Sequence, residues 1–173
     1  RALVQKVLTG THMNRACVTW KGREIAGYTR TGIERWPTAM GAGSVTRFVA
    51  DAELARVNAM LMEAIGASGF LGATYIVDTA HGRPCIIEVN RRIIPATHAG
   101  RHAGVDLAAA FMSAVRGEAW SGPTDTPADA QRTMTLFPQE WLRDRRSAYF
   151  SQAPTDAPWD DPQLFAAMLA PRA

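Results

Sequence analysis

The most informative stretch of this 173-residue chain is PCIIEVNRR, residues 84–92. Successive residues of a strand point to opposite faces, so Glu88 and Asn90 are predicted to share one face and Ile87 to lie on the other. A carboxylate and an amide oxygen side by side suit a hard cation such as Mg²⁺, and the guanidinium of Arg92 suits phosphate oxygens. The simpler interpretation of the same pattern is a strand end with solvated polar residues.

The segments around this stretch predict an α+β fold. Hairpins are expected around Lys21-Gly22-Arg23 and His81-Gly82, because glycine turns there separate apolar runs. Asp51 and Glu53 open an amphipathic segment that Gly66 closes, which is typical of a helix. Strands are predicted at 2–8, 16–20, 24–29, 45–49, 73–78 and 84–89, helices at 51–65 and 104–115, and a mobile loop at 31–44.

Taken together, these motifs resemble the carboxy-terminal half of the ATP-grasp domain over residues 3–117. In that family a Glu-x-Asn-x-Arg phrase follows a strand and turn and precedes a helix, as residues 88–92 do here. The opening VQKVLTG, residues 4–10, resembles the family's hinge strand, whose backbone contacts the adenine edge. The resemblance implies an ATP-grasp carboxy-terminal subdomain, an antiparallel sheet flanked by helices, with ATP and Mg²⁺ as its cofactors.

The resemblance also implies a role for individual residues. The magnesium ligands would be Glu88 and Asn90, and Arg92 would steady the phosphate or acylphosphate. Arg30 would place a cation on the phosphates, with Arg35 and Arg47 as rivals that read more simply as surface residues. The adenine and ribose contacts would be Gln5, Lys6, Val7, Leu8, His12 and Ile87, with a core position as an equal alternative for Ile87.

One position departs from the family pattern. Thr74 aligns where the first strand of the hairpin normally supplies a second metal carboxylate, and a hydroxyl brings no charge to Mg²⁺. Asp78 shares that strand face and would compensate in a bulged strand, although a turn-forming role is favoured. The sequence therefore predicts one metal rather than two, or weakened catalysis.

Composition narrows the class of protein. The net charge is +3 and the basic residues are scattered, which disfavours nucleic-acid binding. No apolar run is long enough for a membrane span. Cys17 and Cys85 are expected to be buried free thiols in a reducing cytoplasm. The first residues, RALVQ, lack an initiating Met, so a fragment of a longer protein is expected, with the amino-terminal part of the ATP site missing.

The expected organisation is a subdomain at 1–120 followed by a linker and tail at 121–173, where Pro, Asp and Thr become frequent before apolar residues return. Aromatic patches in this tail are expected to pack back on the domain. His98 and His102 have a helical metal spacing but no third ligand nearby, so they are interpreted as acceptor-substrate or loop residues.

The expected function is the ATP- and Mg-binding portion of a ligase. In the family, a carboxylate is activated as an acylphosphate and attacked by an amine or similar nucleophile, so small-molecule carboxylates and amines are the expected substrates. The fragment alone is expected to be inactive, and a homodimer is compatible with these features. Two alternatives stay open: a non-catalytic nucleotide- or partner-binding module, and a biotin-carboxylase-like enzyme that acts on bicarbonate.

Overall fold

The computed structural model describes residues 2, 4–39, 41–129 and 132–170. Its centre is a six-stranded antiparallel sheet in the order β5-β4-β1-β2-β3-β6. The strands are β1 Gly10–Trp20, β2 Arg23–Trp36, β3 Ala42–Val49, β4 Gly69–Asp78, β5 Pro84–Asn90 and β6 Thr133–Thr135. The helices are α1 Ala52–Ile65, a 3₁₀ helix at Thr97–Arg101, α2 Leu107–Arg116, α3 Gln139–Arg143, α4 Tyr149–Gln152 and α5 Pro162–Leu169. The predicted α+β class, an antiparallel sheet flanked by helices, is confirmed.

The two faces of the sheet bury different side chains because neighbours along a strand alternate. On β1, Met13 and Cys17 face α1 and pack in clusters with Leu54 and Met62. Ala16 and Val18, on either side of Cys17, face the opposite side of the sheet. They belong to the larger core, which the 3₁₀ helix and α2 cover and to which Met134 of β6 contributes. Apolar area removed from water on both faces stabilises the sheet, and the face opposite α1 also carries the candidate site.

The first hairpin and the first helix form as the sequence predicts. Lys21 and Gly22 have φ of 51° and 82°, the positive angles that a two-residue hairpin turn requires. Helix α1 begins after Asp51, whose side chain accepts a hydrogen bond from Leu54 N, and ends at Gly66 with φ 67°.

Two predicted segments at the start of the sheet are wrong. Residues 4–9 form no strand and are mostly exposed, so the described part of the expected strand at 2–8 pairs with no other strand; residue 3 lies outside the described residues. The expected loop at 31–44 is mostly strand, because β2 continues to Trp36 and pairs with β3 through two register shifts near Glu34. Only residues 37–41 connect these strands.

Helix α2 is shorter than the predicted 104–115. Gly104 has φ 83°, a left-handed conformation that cannot continue a helix, and Val105 N instead donates to Gly100 O at 2.8 Å. Asp106 then caps the helix by accepting from Ala109 N. The helix therefore begins at Leu107.

The segment after α2 is tied to the sheet. The side chain of Arg15, 2% exposed, forms ion pairs with Glu24 at 2.6 Å and Asp125 at 3.0 Å. Gly27 N donates to Thr124 O at 3.0 Å. Further on, β6 extends the sheet by pairing with β3, and rings of five tail residues contact one another: Phe137, Trp141, Phe150, Trp159 and Phe165. The boundary at residue 120 stays a prediction.

The structure also bears on the two cysteines and on the expectation of no membrane span. Cys17 is a buried free thiol, and burial raises its pKa to about 12. Cys85 is also free but only half-buried, which differs from the expectation. In the ranges that the structure describes, no helix combines the length and apolar character needed to cross a membrane.

Candidate active site

A cavity of about 450 Å³ opens on the sheet face opposite α1. Five residues singled out in the sequence line it together: His12 on β1, Arg30 and its rival Arg35 on β2, Thr74 on β4 and Glu88 on β5. They belong to four adjacent strands, and Asn14, Arg30, Thr74 and Glu88 are linked in register across the sheet. The antiparallel ladder therefore assembles residues that are 76 positions apart in the chain, from His12 to Glu88.

A bulge in β5 sets the position of Glu88. Tyr75 pairs with Ile86 and Thr74 pairs with Glu88, so Ile87 is an extra residue opposite the β4 ladder. Tyr75 packs toward α1, whereas Thr74 lines the cavity. Without the bulge, residues 86 and 88 would share a face. After the bulge, Glu88 faces the cavity and Val89 packs on the α1 side against the cluster of Cys17 and Met62.

Thr74 lies directly opposite Glu88 and is already engaged. Its hydroxyl accepts a hydrogen bond from Asn14 Nδ2 at 2.9 Å. Asp78, the alternative metal carboxylate, is engaged in the turn: it accepts from Ala80 N at 3.0 Å and contacts His81 Nδ1 at 2.8 Å. The hydrogen bond from His81 holds the pKa of Asp78 below its ordinary value. Asp78 therefore forms the turn, as the sequence interpretation favoured.

Arg30 brings an unpaired positive charge to the cavity. Its Nε is buried and has no hydrogen-bond partner among the described residues. Burial lowers the pKa of this guanidinium, and the charge of Arg35 lowers it further. Both arginines line the cavity, and Arg35 also donates to Gly41 O at 3.1 Å. A buried donor without a partner is costly, and the side chain of Arg30 also lines the cavity, where its charge suits an anion.

The tail forms the far wall of the cavity, which sequence reasoning missed. Phe137, Gln139 and Asp156 all line it. Asp156 accepts from Phe137 N at 2.6 Å and lies 2.9 Å from His98 Nε2. That contact with Asp156 is the main reason why the pKa of His98 is raised. No local pattern signals this wall, since Asp156 reaches the site only through the folding of the tail against β6.

Several predicted site residues lie outside this cavity. Asn90 is two residues beyond Glu88 on the same strand, and Arg92 lines a neighbouring groove instead. Ile87 is 51% exposed, so the alternative interpretation, that Ile87 is a core residue, is wrong. Of the expected adenine segment, Gln5, Lys6 and Val7 are exposed and Leu8 is half-buried. Their contacts with a nucleotide stay predictions, as do those of His12.

The cavity has few metal donors of its own. Within the described ranges, no group of three or more His, Cys, Asp or Glu residues is placed to hold a metal ion. Glu88 is the carboxylate that faces the Thr74 hydroxyl across the ladder. Such a site suits a cation whose remaining ligands are phosphate oxygens and water.

Comparison with known proteins gives structural matches only. No family model matches the chain, and no curated protein matches it. Rhizobium etli pyruvate carboxylase, crystallised without acetyl coenzyme A, matches with a TM-score of 0.50 and 21% identity over 74% of this chain and 14% of its own. An Archaeoglobus fulgidus protein described as ATP-grasp superfamily matches with a TM-score of 0.45 and 14% identity, over 75% and 39%. The biotin carboxylase domain of Hydrogenobacter thermophilus 2-oxoglutarate carboxylase, solved with MgADP and bicarbonate, matches with a TM-score of 0.46 and 17% identity, over 71% and 28%.

The match to the pyruvate carboxylase, with a TM-score of 0.50, bears on the fold alone because the identity is 21%. At the level of the fold, the predicted resemblance is confirmed. The chain spans 39% of the length of the Archaeoglobus protein and 14% of the pyruvate carboxylase.

Proposed function

We propose that the cavity of Arg30 and Glu88 is the phosphate and metal end of an ATP site in a carboxylate-amine ligase. The observation that carries the proposal is that Glu88 and Arg30 line one cavity, and that the buried Nε of Arg30 has no hydrogen-bond partner among the described residues. A polyanion bound through a divalent cation needs both charges, a carboxylate for the metal and a guanidinium for the phosphate oxygens.

The donor set fits one Mg²⁺ ion better than two. Glu88, which lines the cavity, would contribute a carboxylate, while the Thr74 hydroxyl is held by Asn14. Asn90 lies outside the lining on the same strand and stays a predicted ligand. Mg²⁺ commonly binds through one or two carboxylates and completes its shell with phosphates and water. When bound, Mg-ATP supplies an electrophilic phosphoryl group.

The chemistry proposed is two successive displacements. An oxygen of the acceptor carboxylate attacks the γ-phosphorus, ADP leaves with the bridging electron pair, and an acylphosphate forms. An amine or similar nucleophile then attacks the carbonyl carbon, inorganic phosphate leaves, and the nucleophile loses one proton. Arg30 and Arg92 would neutralise charge on the transferring group, and the tail wall of Phe137 would limit the access of water.

The adenine end is proposed at the exposed segment before β1. Backbone groups of Lys6 and Leu8 would contact the adenine edge, and Gln5 and Val7 would lie around the ring. His12 would hydrogen-bond the ribose hydroxyls. Ile87, exposed on β5, would pack against the ring. Because the structural matches are longer than this chain, we propose that another segment of the same protein covers the phosphates.

A non-catalytic nucleotide- or partner-binding module is the second candidate. The hydrogen bond between Asn14 and Thr74 favours it, since a polar pair stands where the family pattern places a metal carboxylate. An enzyme that acts on bicarbonate is also compatible with this cavity.

The proposal is tested by titrating Mg-ATP into wild-type protein and the variants Glu88→Gln and Arg30→Met. We expect weak but magnesium-dependent binding by this chain, reduced about tenfold or more in each variant through loss of a charged contact. Neither change should greatly lower the melting temperature without nucleotide, because Glu88 is exposed and the Nε of Arg30 forms no hydrogen bond within the described residues.

Matched controls are Glu63→Gln on α1 and Arg47→Met on β3, both exposed and outside the cavity lining. Equal losses in the controls, or binding that is independent of magnesium and of Glu88, would overturn the assignment. In protein that includes the proposed covering segment, ADP release in the presence of candidate acceptor acids distinguishes a ligase from a binding module.

A further inference from the structure

A second groove lies beside the candidate active site on the same sheet face. It measures about 540 Å³ and is bounded by β4, the segment after β5, the 3₁₀ helix and the start of α2. Pro95 lines both the groove and the Arg30 cavity. Volumes of about 300–1,000 Å³ are typical of small-molecule sites, so the groove has the size for a small organic ligand rather than a macromolecule.

The walls of this groove are mainly apolar. Phe70 and Leu107 come from β4 and α2, while Ile93 and Ile94 come from the segment after β5. Ile94 packs against Gly72, where an added Cβ would meet its side chain at 2.8 Å. Ile93 is 62% exposed, so an apolar surface faces solvent at the rim of the groove. A ligand with an aliphatic or aromatic body would remove this surface from water.

The charges of the groove select the polar end of the ligand. Arg92 lines the groove, and no carboxylate of the described residues forms an ion pair with it. Its described hydrogen bond is a 3.3 Å contact from Nη1 to Ile93 O. His98 contacts Asp156 at 2.9 Å, and the Nε of Arg101 lies 3.6 Å from Asp106. The guanidinium of Arg92, which forms no ion pair within the described residues, therefore has capacity for an anion.

We propose that this groove binds an organic acid with an apolar body, with its carboxylate at Arg92 and its hydrocarbon part against Phe70 and Ile94. This inference rests on the proposed function, in which the acid is the acceptor that the ligase activates. Arg92 follows Glu88 by four positions, and Pro95 lines both the groove and the neighbouring cavity, so the two sites share a wall.

The test uses four small probes and protein without nucleotide. Butanoate, hexanoate, 1-hexanol and hexylammonium are titrated into isotope-labelled protein, and amide shifts are followed by NMR. We expect hexanoate to perturb residues around Arg92, Thr97 and Leu107 and to bind about tenfold more tightly than butanoate, because two more methylenes are buried. Hexanol should bind at least about tenfold more weakly, and hexylammonium should not bind.

Variants separate a specific site from general attraction. Arg92→Gln should weaken hexanoate binding about tenfold, whereas the neighbouring exposed Arg91→Gln should leave it unchanged. Ile93→Ser should also weaken binding, while Ile86→Ser, exposed on β5 outside the groove lining, should not. Equal effects of the two arginine variants, or equal binding of hexanol, would overturn the proposal.

A final measurement links the groove to the proposed reaction. Mg-ATP added to the hexanoate complex should leave hexanoate bound, since the acceptor and the nucleotide must occupy the site together. Displacement of hexanoate would overturn the acceptor role. Failure of Mg-ATP to bind through Glu88 and Arg30 would overturn the proposed function instead, whatever hexanoate does.

Discussion

At the scale of single residues, the ladder between β4 and β5 places one carboxylate and one hydroxyl opposite each other. Glu88 has the carboxylate, and Thr74 has a hydroxyl that already accepts from Asn14. Side chains that pair directly across antiparallel strands have Cβ atoms about 4.5–5.5 Å apart. That separation is suited to two ligands of one cation, so residue 74 is placed to act as a second ligand of the metal proposed at Glu88.

Thr74→Asp should convert this pair into a stronger metal site. Two carboxylates directly opposite each other repel without a cation, so we expect a lower melting temperature in EDTA and recovery on addition of Mg²⁺. Thr74→Asn is the matched control, because it is similar in size to Asp and adds no charge. Melting curves with and without Mg²⁺ check this prediction. A loss of stability that Mg²⁺ does not recover would show that Thr74 does not face a metal position.

At the scale of elements, α3 is fixed to the sheet by a buried charge. Glu140 is 0% exposed, accepts from Ser44 Oγ on β3 at 2.7 Å, and forms two hydrogen bonds with Arg143. Burial works to raise the pKa of Glu140, but hydrogen bonds from Arg143, Ser147 and Ser44 outweigh it and lower the pKa. The carboxylate therefore stabilises the docked tail in its ionised form.

The sign of this shift predicts a sensitivity to acid. A carboxyl whose folded pKa is depressed contributes stability above its unfolded pKa, near 4.5 for Glu140, and loses it as pH falls through the folded pKa. Glu140→Gln should cost about 2 kcal/mol in the free energy of unfolding at neutral pH and should reduce the loss of stability on acidification. Denaturant unfolding at neutral pH and at about pH 3 measures both effects.

Glu53→Gln is the control for this prediction. Glu53 pairs with Arg56 on the surface of α1, and both side chains are more than half exposed. Exposed pairs contribute little, so this variant should unfold nearly as the wild type does. If the two variants behaved alike, the Glu140 contacts would not be what holds α3 to β3.

At the scale of the whole molecule, the tail is part of the sheet and of the site. Met134 on β6 is 0% exposed and belongs to the core with Phe48 and Val105. Leu136 and Phe137 continue from β6 into the cavity wall. By contrast, α5 has no buried residue. The two parts of the tail should therefore differ in their contribution to stability.

Two truncations compare these parts. Removing residues 132–173 should destabilise the domain by several kcal/mol, because the buried side chains of β6 are lost from a close-packed core. Removing residues 162–173 should leave a folded domain with a smaller loss, from the ring contacts of Phe165. Thermal melts and NMR spectra of both proteins check this. A stable, native-like chain ending at residue 131 would support the boundary predicted at residue 120.

The sequence by itself determined the features that depend on neighbouring residues. The turn at Lys21-Gly22, the capped helix between Asp51 and Gly66 and the strand that carries Glu88 are all encoded by local periodicity and by residues suited to turns and caps. The resemblance to the ATP-grasp fold was also predictable, because it rests on the order of these elements.

The tertiary structure alone decided which residues meet. Residues 31–36 extend β2 because β3 pairs with them despite bulges near Glu34. Polar and apolar residues do not alternate regularly in this segment, so its own sequence does not predict a strand. The bulge at Ile87 depends on the β4 ladder, and Asp156 reaches the cavity through the tail. These contacts join positions far apart in the chain, so their stability comes from packing and pairing partners that a local pattern does not contain.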